Sequence, residues 1–126
     1  MKIKNAHLLT STEFLSKISA EDHEIPIAFK ISTIINRVNE AIKPVNELRQ
    51  KIVTESMLKN DKGEPIFLDV DKKFLALSDA GYKKLNELLE LESEVAVTDV
   101  FTMAELQDAK IKLKGGQVEA LKWMIK

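Results

Sequence analysis

The chain has 126 residues, a net charge of −1 and no cysteine. The missing thiols exclude disulfides, thiolate catalysis and sulfur-ligated metals, and the near-zero net charge gives no general reason to expect a polyanion as partner. Hydrophobic residues make up 44% of the chain, enough for one core, so we expect a single domain over residues 1–126. The chain has neither the apolar run of a signal peptide nor the roughly 20 apolar residues of a membrane span. We therefore expect a cytoplasmic protein with no membrane partner.

The first element is ambiguous at its start. Residues 2–9 fit either a short strand or the first turns of a helix that begins near Asn5. The pattern Thr10–Glu13 matches a capping box, which predicts a firm helix from about Ser11 to Ser19.

A long helix is the main predicted element. After Pro26, which suits a first helical turn, apolar residues recur at steps of three and four. This periodicity predicts one helix over about 27–58, kinked near Pro44 because proline cannot donate a hydrogen bond to the preceding turn. Its apolar face is a candidate interaction surface, made of Ile31, Ile35, Val38, Ile42 and Val45.

Shorter elements are predicted in the second half of the chain. In chain order they are a β-hairpin over 66–77, a helix over 79–92, a strand over 94–101, a short capped helix over 102–109, an edge strand over 110–114 and a last helix over 117–125. The second arm of the hairpin is equally consistent with a loop. The sequence therefore predicts a mostly helical α+β fold. The long helix packs against the helix at 79–92, with a small β element between and after them and a short C-terminal helix.

No pattern predicts a catalytic, cofactor or metal site. His7 and His23 lack a second imidazole at helical metal-ligand spacing, so His23, set among acidic residues, is more typical of a solvated loop. The pair Gly115-Gly116 lacks the glycine spacing of a phosphate-binding loop, and a tight turn is a simpler interpretation than an anion site. We therefore expect no catalytic residue, no cofactor and no metal.

An acidic cluster lies near the end of the helix at 79–92, comprising Glu87, Glu90, Glu92 and Glu94. The helix dipole disfavours acids at a helix C-terminus, so a basic partner is expected. The candidates are Lys110, Lys112 and Lys114. General acid–base catalysis by this cluster is a weaker alternative, because it needs the carboxyls in a pocket that separates their pKa values.

The C-terminal segment 110–126 carries five lysines against one acid, Glu119. Four of the lysines form a candidate nucleic-acid contact, namely Lys110, Lys112, Lys114 and Lys122. An edge strand that lysines protect from further pairing is the favoured alternative, because the segment lacks the arginines and aromatic platforms of single-strand binders.

Trp123 is the only tryptophan and lies between Lys122 and Met124. The favoured interpretation is that it docks the last helix onto the core. A contact with another subunit or partner is the alternative, because tryptophan is enriched at interaction hot spots.

Five segments of the chain carry a resemblance, namely Met1–Asn5, Ile25–Ile27, Leu48–Ile52, Asn60–Glu64 and Leu121–Ile125. In these segments, and in the order of its elements, the chain resembles a group of small uncharacterised proteins encoded by tailed bacteriophages. The resemblance implies a phage or prophage accessory protein, located in the host cytoplasm, and implies no catalytic residue.

These observations favour a non-enzymatic accessory protein. We expect it to self-associate, or to bind a protein partner, through the apolar face of the long helix together with Trp123. Nucleic-acid binding through the four lysines is the alternative.

Overall fold

The structure, a computed structural model, describes residues 1–96 and 100–126. Within these ranges the protein is mostly helical and has one two-stranded antiparallel sheet, which confirms the predicted mostly helical α+β class. The elements are β1 (Lys2–Lys4), α1 (Asn5–Ser19), α2 (Ile25–Ser56), α3 (Asp79–Glu90), β2 (Glu92–Glu94), α4 (Met103–Asp108) and α5 (Val118–Leu121). Single 3-10 turns at Gly115–Gln117 and Lys122–Met124 flank α5.

The chain divides into two compact units. The first unit comprises Met1–Lys43 and Glu92–Lys126, and the second comprises Pro44–Leu91. Helix α2 contributes residues to both units, and Pro44 lies inside it. The kink near Pro44 and the single-domain organisation stay predictions.

Helix α1 begins at Asn5, directly after β1, so the ambiguous segment 2–9 is a strand followed by a helix. Three consecutive hydroxyls inside α1 donate to the carbonyl four residues earlier: Thr10 to Ala6 at 3.3 Å, Ser11 to His7 at 2.7 Å and Thr12 to Leu8 at 2.9 Å. Mid-helix hydroxyls commonly form such bonds. The predicted capping box at Thr10–Glu13 is therefore wrong, because the helix is already under way there.

The sheet of the first unit pairs β1 with β2 in antiparallel register. Lys2 lies opposite Glu94 and Lys4 lies opposite Glu92, an arrangement in which opposite charges stabilise the strand pair. The predicted strand over 94–101 thus starts two residues earlier and is shorter, while its residues 97–99 lie outside the described part of the chain.

The capping box predicted at the start of α4 is confirmed. The Thr102 hydroxyl accepts a hydrogen bond from the Glu105 amide at 3.1 Å, and the Glu105 carboxylate accepts one from the Thr102 amide at 3.0 Å. Two residues after the end of α4, Lys110 adopts a left-handed conformation with φ of 58°. The following residues 111–114 have no strand partner among the described residues. The predicted edge strand at 110–114 is therefore wrong.

The last predicted helix is shorter than expected. Instead of a continuous helix over 117–125, the structure has the four-residue α5 between two 3-10 turns. Leu121 is fully buried in this segment, whereas Val118 is exposed. Phe101 and Ile125 form a parallel bridge that ties the end of the chain to the core of the first unit.

In the second unit, three short segments pair with one another through single bridges. The Leu58 amide donates to the Ala76 carbonyl at 2.9 Å, the Ala76 amide to the Ile66 carbonyl at 2.8 Å, and the Ile66 amide to the Leu58 carbonyl at 2.9 Å. The three segments lie around Leu58, Ile66 and Ala76, and each is hydrogen-bonded to the other two. The predicted hairpin over 66–77 is reduced to one antiparallel bridge between Phe67 and Leu75, flanked by the hydrogen bonds from Ala76 to Ile66 and from Leu68 to Phe74, and its arms are too short to form strands.

Close packing joins the end of α2 to the start of α3. Ser78 caps α3 by accepting a hydrogen bond from the Gly81 amide at 3.2 Å, and the Ser78 amide donates to the Ser56 carbonyl at 2.8 Å. A Cβ atom added to Gly81 would lie 2.3 Å from the Ser56 Cβ. Only glycine permits this approach, which fixes the long helix against the shorter one.

Candidate interaction surface

The predicted interaction face of the long helix is mostly core. Four of its residues are buried within the chain itself: Ile31, Val38, Ile42 and Val45. Ile35 is half-buried. A partner would have to displace the protein's own packing to reach the four buried side chains, and their part in an interaction stays a prediction. The sequence pattern identified the buried side of α2 but not what covers it.

Trp123 docks the C-terminal segment against α1. Its indole N–H donates to the Ser11 hydroxyl at 2.9 Å, and that hydroxyl donates in turn to the His7 carbonyl. Ser11 is fully buried, so the indole supplies a partner to a hydroxyl that water does not reach. The contact agrees with the favoured sequence interpretation of Trp123.

Apolar side chains are exposed in both units, among them Ile25 and Phe29 of α2, and three of them lie around one loop of the second unit. Leu68 and Phe74 are each 65% exposed, and Val70 is 98% exposed. We call these three residues the apolar tip. Isolated exposed apolar residues are ordinary, but three of them around one loop leave apolar area in water that a partner's surface would cover. Sequence reasoning placed the tip in a hairpin and missed its exposure.

The loop that carries the apolar tip has a fixed backbone. The Asp69 carboxylate accepts hydrogen bonds from the amides of Lys73 and Phe74, both at 3.0 Å. The Leu68 amide donates to the Phe74 carbonyl at 2.8 Å, which closes the base of the loop. Lys72 adopts a left-handed conformation with φ of 57°. Because these hydrogen bonds hold the loop in one conformation, binding a partner at the tip requires only a small loss of conformational entropy in the loop.

The four candidate nucleic-acid lysines do not form one strip. Three of them, Lys110, Lys112 and Lys114, line a cleft of ≈360 Å³ whose lining also includes Lys17, Glu13 and Glu21. Lys122 lines a different cleft and forms an ion pair with Glu119 at 3.0 Å. That contact lowers the pKa of Glu119. The basic pattern of the sequence is therefore divided and partly neutralised by acids.

The acidic cluster is divided as well. Glu87 and Glu90 belong to α3 in the second unit, whereas Glu92 and Glu94 belong to β2 in the first. The lysines opposite the two β2 glutamates are those of β1, not the expected Lys110, Lys112 and Lys114. The N-terminal amine bonds the Glu94 carboxylate and lowers its pKa.

A partly buried ion pair in the first unit escaped sequence reasoning. The Lys30 ammonium donates to the Glu105 carboxylate at 2.8 Å and to the Val100 carbonyl at 3.0 Å. Hydrogen bonds from Lys30 and from the Thr102 amide lower the pKa of Glu105. The residues are 75 positions apart, and no local pattern connects them.

His23 has a structural contact rather than a cluster of ligands around it. Its Nε2 donates to the Ile18 carbonyl at 2.8 Å, which ties the α1–α2 connection to α1. In the part of the chain that the structure describes, no group of three or more histidine, aspartate or glutamate residues is placed to hold a metal ion.

Comparisons of the chain with protein-family models, with curated proteins and with solved structures found no match. Among the described helices, none is both long and apolar enough to cross a membrane.

Proposed function

We propose that this protein is a non-enzymatic interaction protein, an accessory protein of phage or prophage origin, and that it binds a protein partner through the apolar tip. The observation that carries the proposal is the exposure of Leu68, Val70 and Phe74 on a loop whose backbone is already hydrogen-bonded. The phage origin rests on the sequence resemblance alone.

The charges around the apolar tip favour a protein over a polyanion. Between residues 59 and 74 the chain carries four lysines and four acidic residues, so the tip has no net charge to attract phosphate groups. An apolar centre surrounded by mixed charges is the arrangement typical of protein–protein contacts. The fixed loop also suits a contact that forms without refolding.

Affinity capture with matched variants tests this proposal. The tagged protein is compared with Val70→Asp and with Lys62→Asp, whose side chain lies on the other exposed loop of the same unit. We expect Val70→Asp to remove a discrete captured protein that the wild type and Lys62→Asp both retain, because a carboxylate at the contact centre cannot be buried unpaired. Equal capture by all three would refute the proposal.

Nucleic-acid binding remains the second candidate, supported by the four lysines that line the ≈360 Å³ cleft: Lys17, Lys110, Lys112 and Lys114. A gel shift at low salt tests it, since binding through lysines weakens steeply as salt rises. Loss of the shift on changing Lys110, Lys112 and Lys114 to glutamate would place the site in the cleft. No shift at low salt removes this candidate.

A further inference from the structure

A second exposed apolar feature of the second unit is a groove between α2 and α3. It has a volume of ≈350 Å³ and is lined by Leu48, Lys51, Ile52, Glu55, Lys84, Glu87, Leu88 and Leu91. Ile52 and Leu88 are buried in its floor, whereas Leu48 is 43% and Leu91 61% exposed. The groove is separate from the apolar tip, and nothing in the proposed function uses it.

The helices that form the groove run antiparallel from the contact between Ser56 and Gly81. At 1.5 Å per residue, Glu55 and Lys84 lie about 2 and 5 Å along the groove from that contact. Lys51 and Glu87 lie about 8 and 9 Å along it. Glu55 of α2 therefore lies opposite Lys84 of α3 near the contact, and Lys51 of α2 lies opposite Glu87 of α3 farther along. The positions of lysine and glutamate on the two helices are thus exchanged between these two pairs.

This alternating set of four charges is self-complementary. With a two-fold axis parallel to the groove, α2 of one copy faces α3 of the second copy. Lys51 then lies near Glu87 of the second copy, and Glu55 lies near its Lys84. With a two-fold axis perpendicular to the groove, α2 faces α2 and α3 faces α3 of the second copy, each pair antiparallel. Lys51 then lies near Glu55 of the second copy, and Lys84 lies near its Glu87. Either symmetry brings unlike charges together at all four positions. A helix of one charge, or a polyanion, would be repelled by half of them.

The four charges are also available for pairing between chains. No ion pair joins any of them to another described side chain. A partner helix pair would cover the exposed parts of Leu48 and Leu91 while these charges pair at the edges, which is the usual arrangement of antiparallel helical bundles.

We infer that a second copy of this chain occupies the groove, so that α2 and α3 of two copies form a four-helix contact about a two-fold axis. The contact buries Leu48 and Leu91 of both copies, and the charges of residues 51, 55, 84 and 87 select the partner. This inference is independent of what binds the apolar tip.

Charge exchange in the full chain, followed by sedimentation equilibrium at low salt, tests the inference. We expect the wild type to dimerise. Lys51→Glu/Lys84→Glu makes the groove edge wholly acidic, and Glu55→Lys/Glu87→Lys makes it wholly basic. Each double variant alone should show a dissociation constant raised by at least about tenfold. An equimolar mixture of the two should recover the dimer, and so should the variant with all four exchanges, which serves as the composition control.

Three results would overturn the inference. The first is a wild type that stays monomeric up to about 0.5 mM, a concentration at which even a weak specific contact is populated. The second is dimerisation of both double variants with unchanged affinity. The third is loss of the dimer in Leu68→Asp but not in Leu91→Asp, which would move the contact to the apolar tip and so support the proposed function while rejecting the groove.

Discussion

Replacing Gly81 with alanine should weaken the second unit through a single contact. The new Cβ would lie 2.3 Å from the Ser56 Cβ, whereas carbon atoms pack at about 3.5–4.0 Å. Because a Cβ atom is fixed by its backbone, α2 and α3 must move apart by roughly 1 Å or more. Overpacking of this kind costs about 1–3 kcal/mol, and the higher helix propensity of alanine offsets at most about 1 kcal/mol. We expect a net loss of about 1–2 kcal/mol in the free energy of unfolding.

Urea unfolding followed by circular dichroism measures this loss, since a change of that size lowers the midpoint by roughly 1 M. Ser56→Gly removes the two atoms nearest to the new methyl group, so Gly81→Ala should cost much less in the Ser56→Gly background than in the wild type. Gly116→Ala is the matched control, because nothing lies within 4 Å of a Cβ atom at that position. If Gly81→Ala is as stable as the control, α2 and α3 do not pack as described and the groove loses its basis.

Three further changes test contacts of the first unit by denaturant unfolding. Trp123→Phe keeps an aromatic ring but removes part of the indole together with the N–H that bonds Ser11, and should cost at least about 1 kcal/mol; an unchanged midpoint would contradict the docking contact. Lys110→Gly should stabilise the protein by about 1 kcal/mol, because glycine adopts the left-handed conformation after α4 without steric cost, and a loss of stability would show that the lysine makes a contact worth more. Because Lys30 lowers the pKa of Glu105 from its usual 4.5, the pair's stabilisation is present above pH 4.5 and lost as pH falls through the lowered pKa. Lys30→Met should reduce the change of unfolding free energy with pH in this range. The same pH dependence as in the wild type would show that the Lys30–Glu105 pair does not cause it.

The elements that sequence reasoning located well are those with local causes. Helix α2 was expected over 27–58 and spans Ile25–Ser56, because apolar periodicity is a property of the segment itself. The cap of α4 at Thr102 is also predictable, because a capping box is formed by residues three positions apart in the chain.

The errors have non-local causes. The alternation of lysines and apolar residues at 110–114 suits a strand, but a strand must pair with a neighbouring strand. The left-handed Lys110 turns the chain, and none of the described strands pairs with residues 111–114. The basic partner of the β2 glutamates lies some 90 residues earlier, in β1. The requirement for glycine at position 81 has no local signal, because the approach of Ser56 depends on how two helices pack.

The candidate site was the least predictable part. Apolar periodicity predicts an interaction face on α2, and yet its residues Ile31, Val38 and Ile42 are buried in the first unit. A largely apolar segment such as 66–70 is expected to bury its side chains. The exposure of Val70 contradicts this expectation. This exposure is the ground on which we propose the apolar tip as a binding surface.

Photo-crosslinking from position 70 tests the central claim most directly. A photoreactive phenylalanine analogue replaces Val70 in one variant and Lys62 in a control, and both are irradiated in the cells that produce the protein. The account predicts one discrete protein adduct from position 70 and none from position 62, because the partner covers the apolar tip and not the neighbouring loop. No adduct from position 70, or the same adducts from both positions, would contradict it.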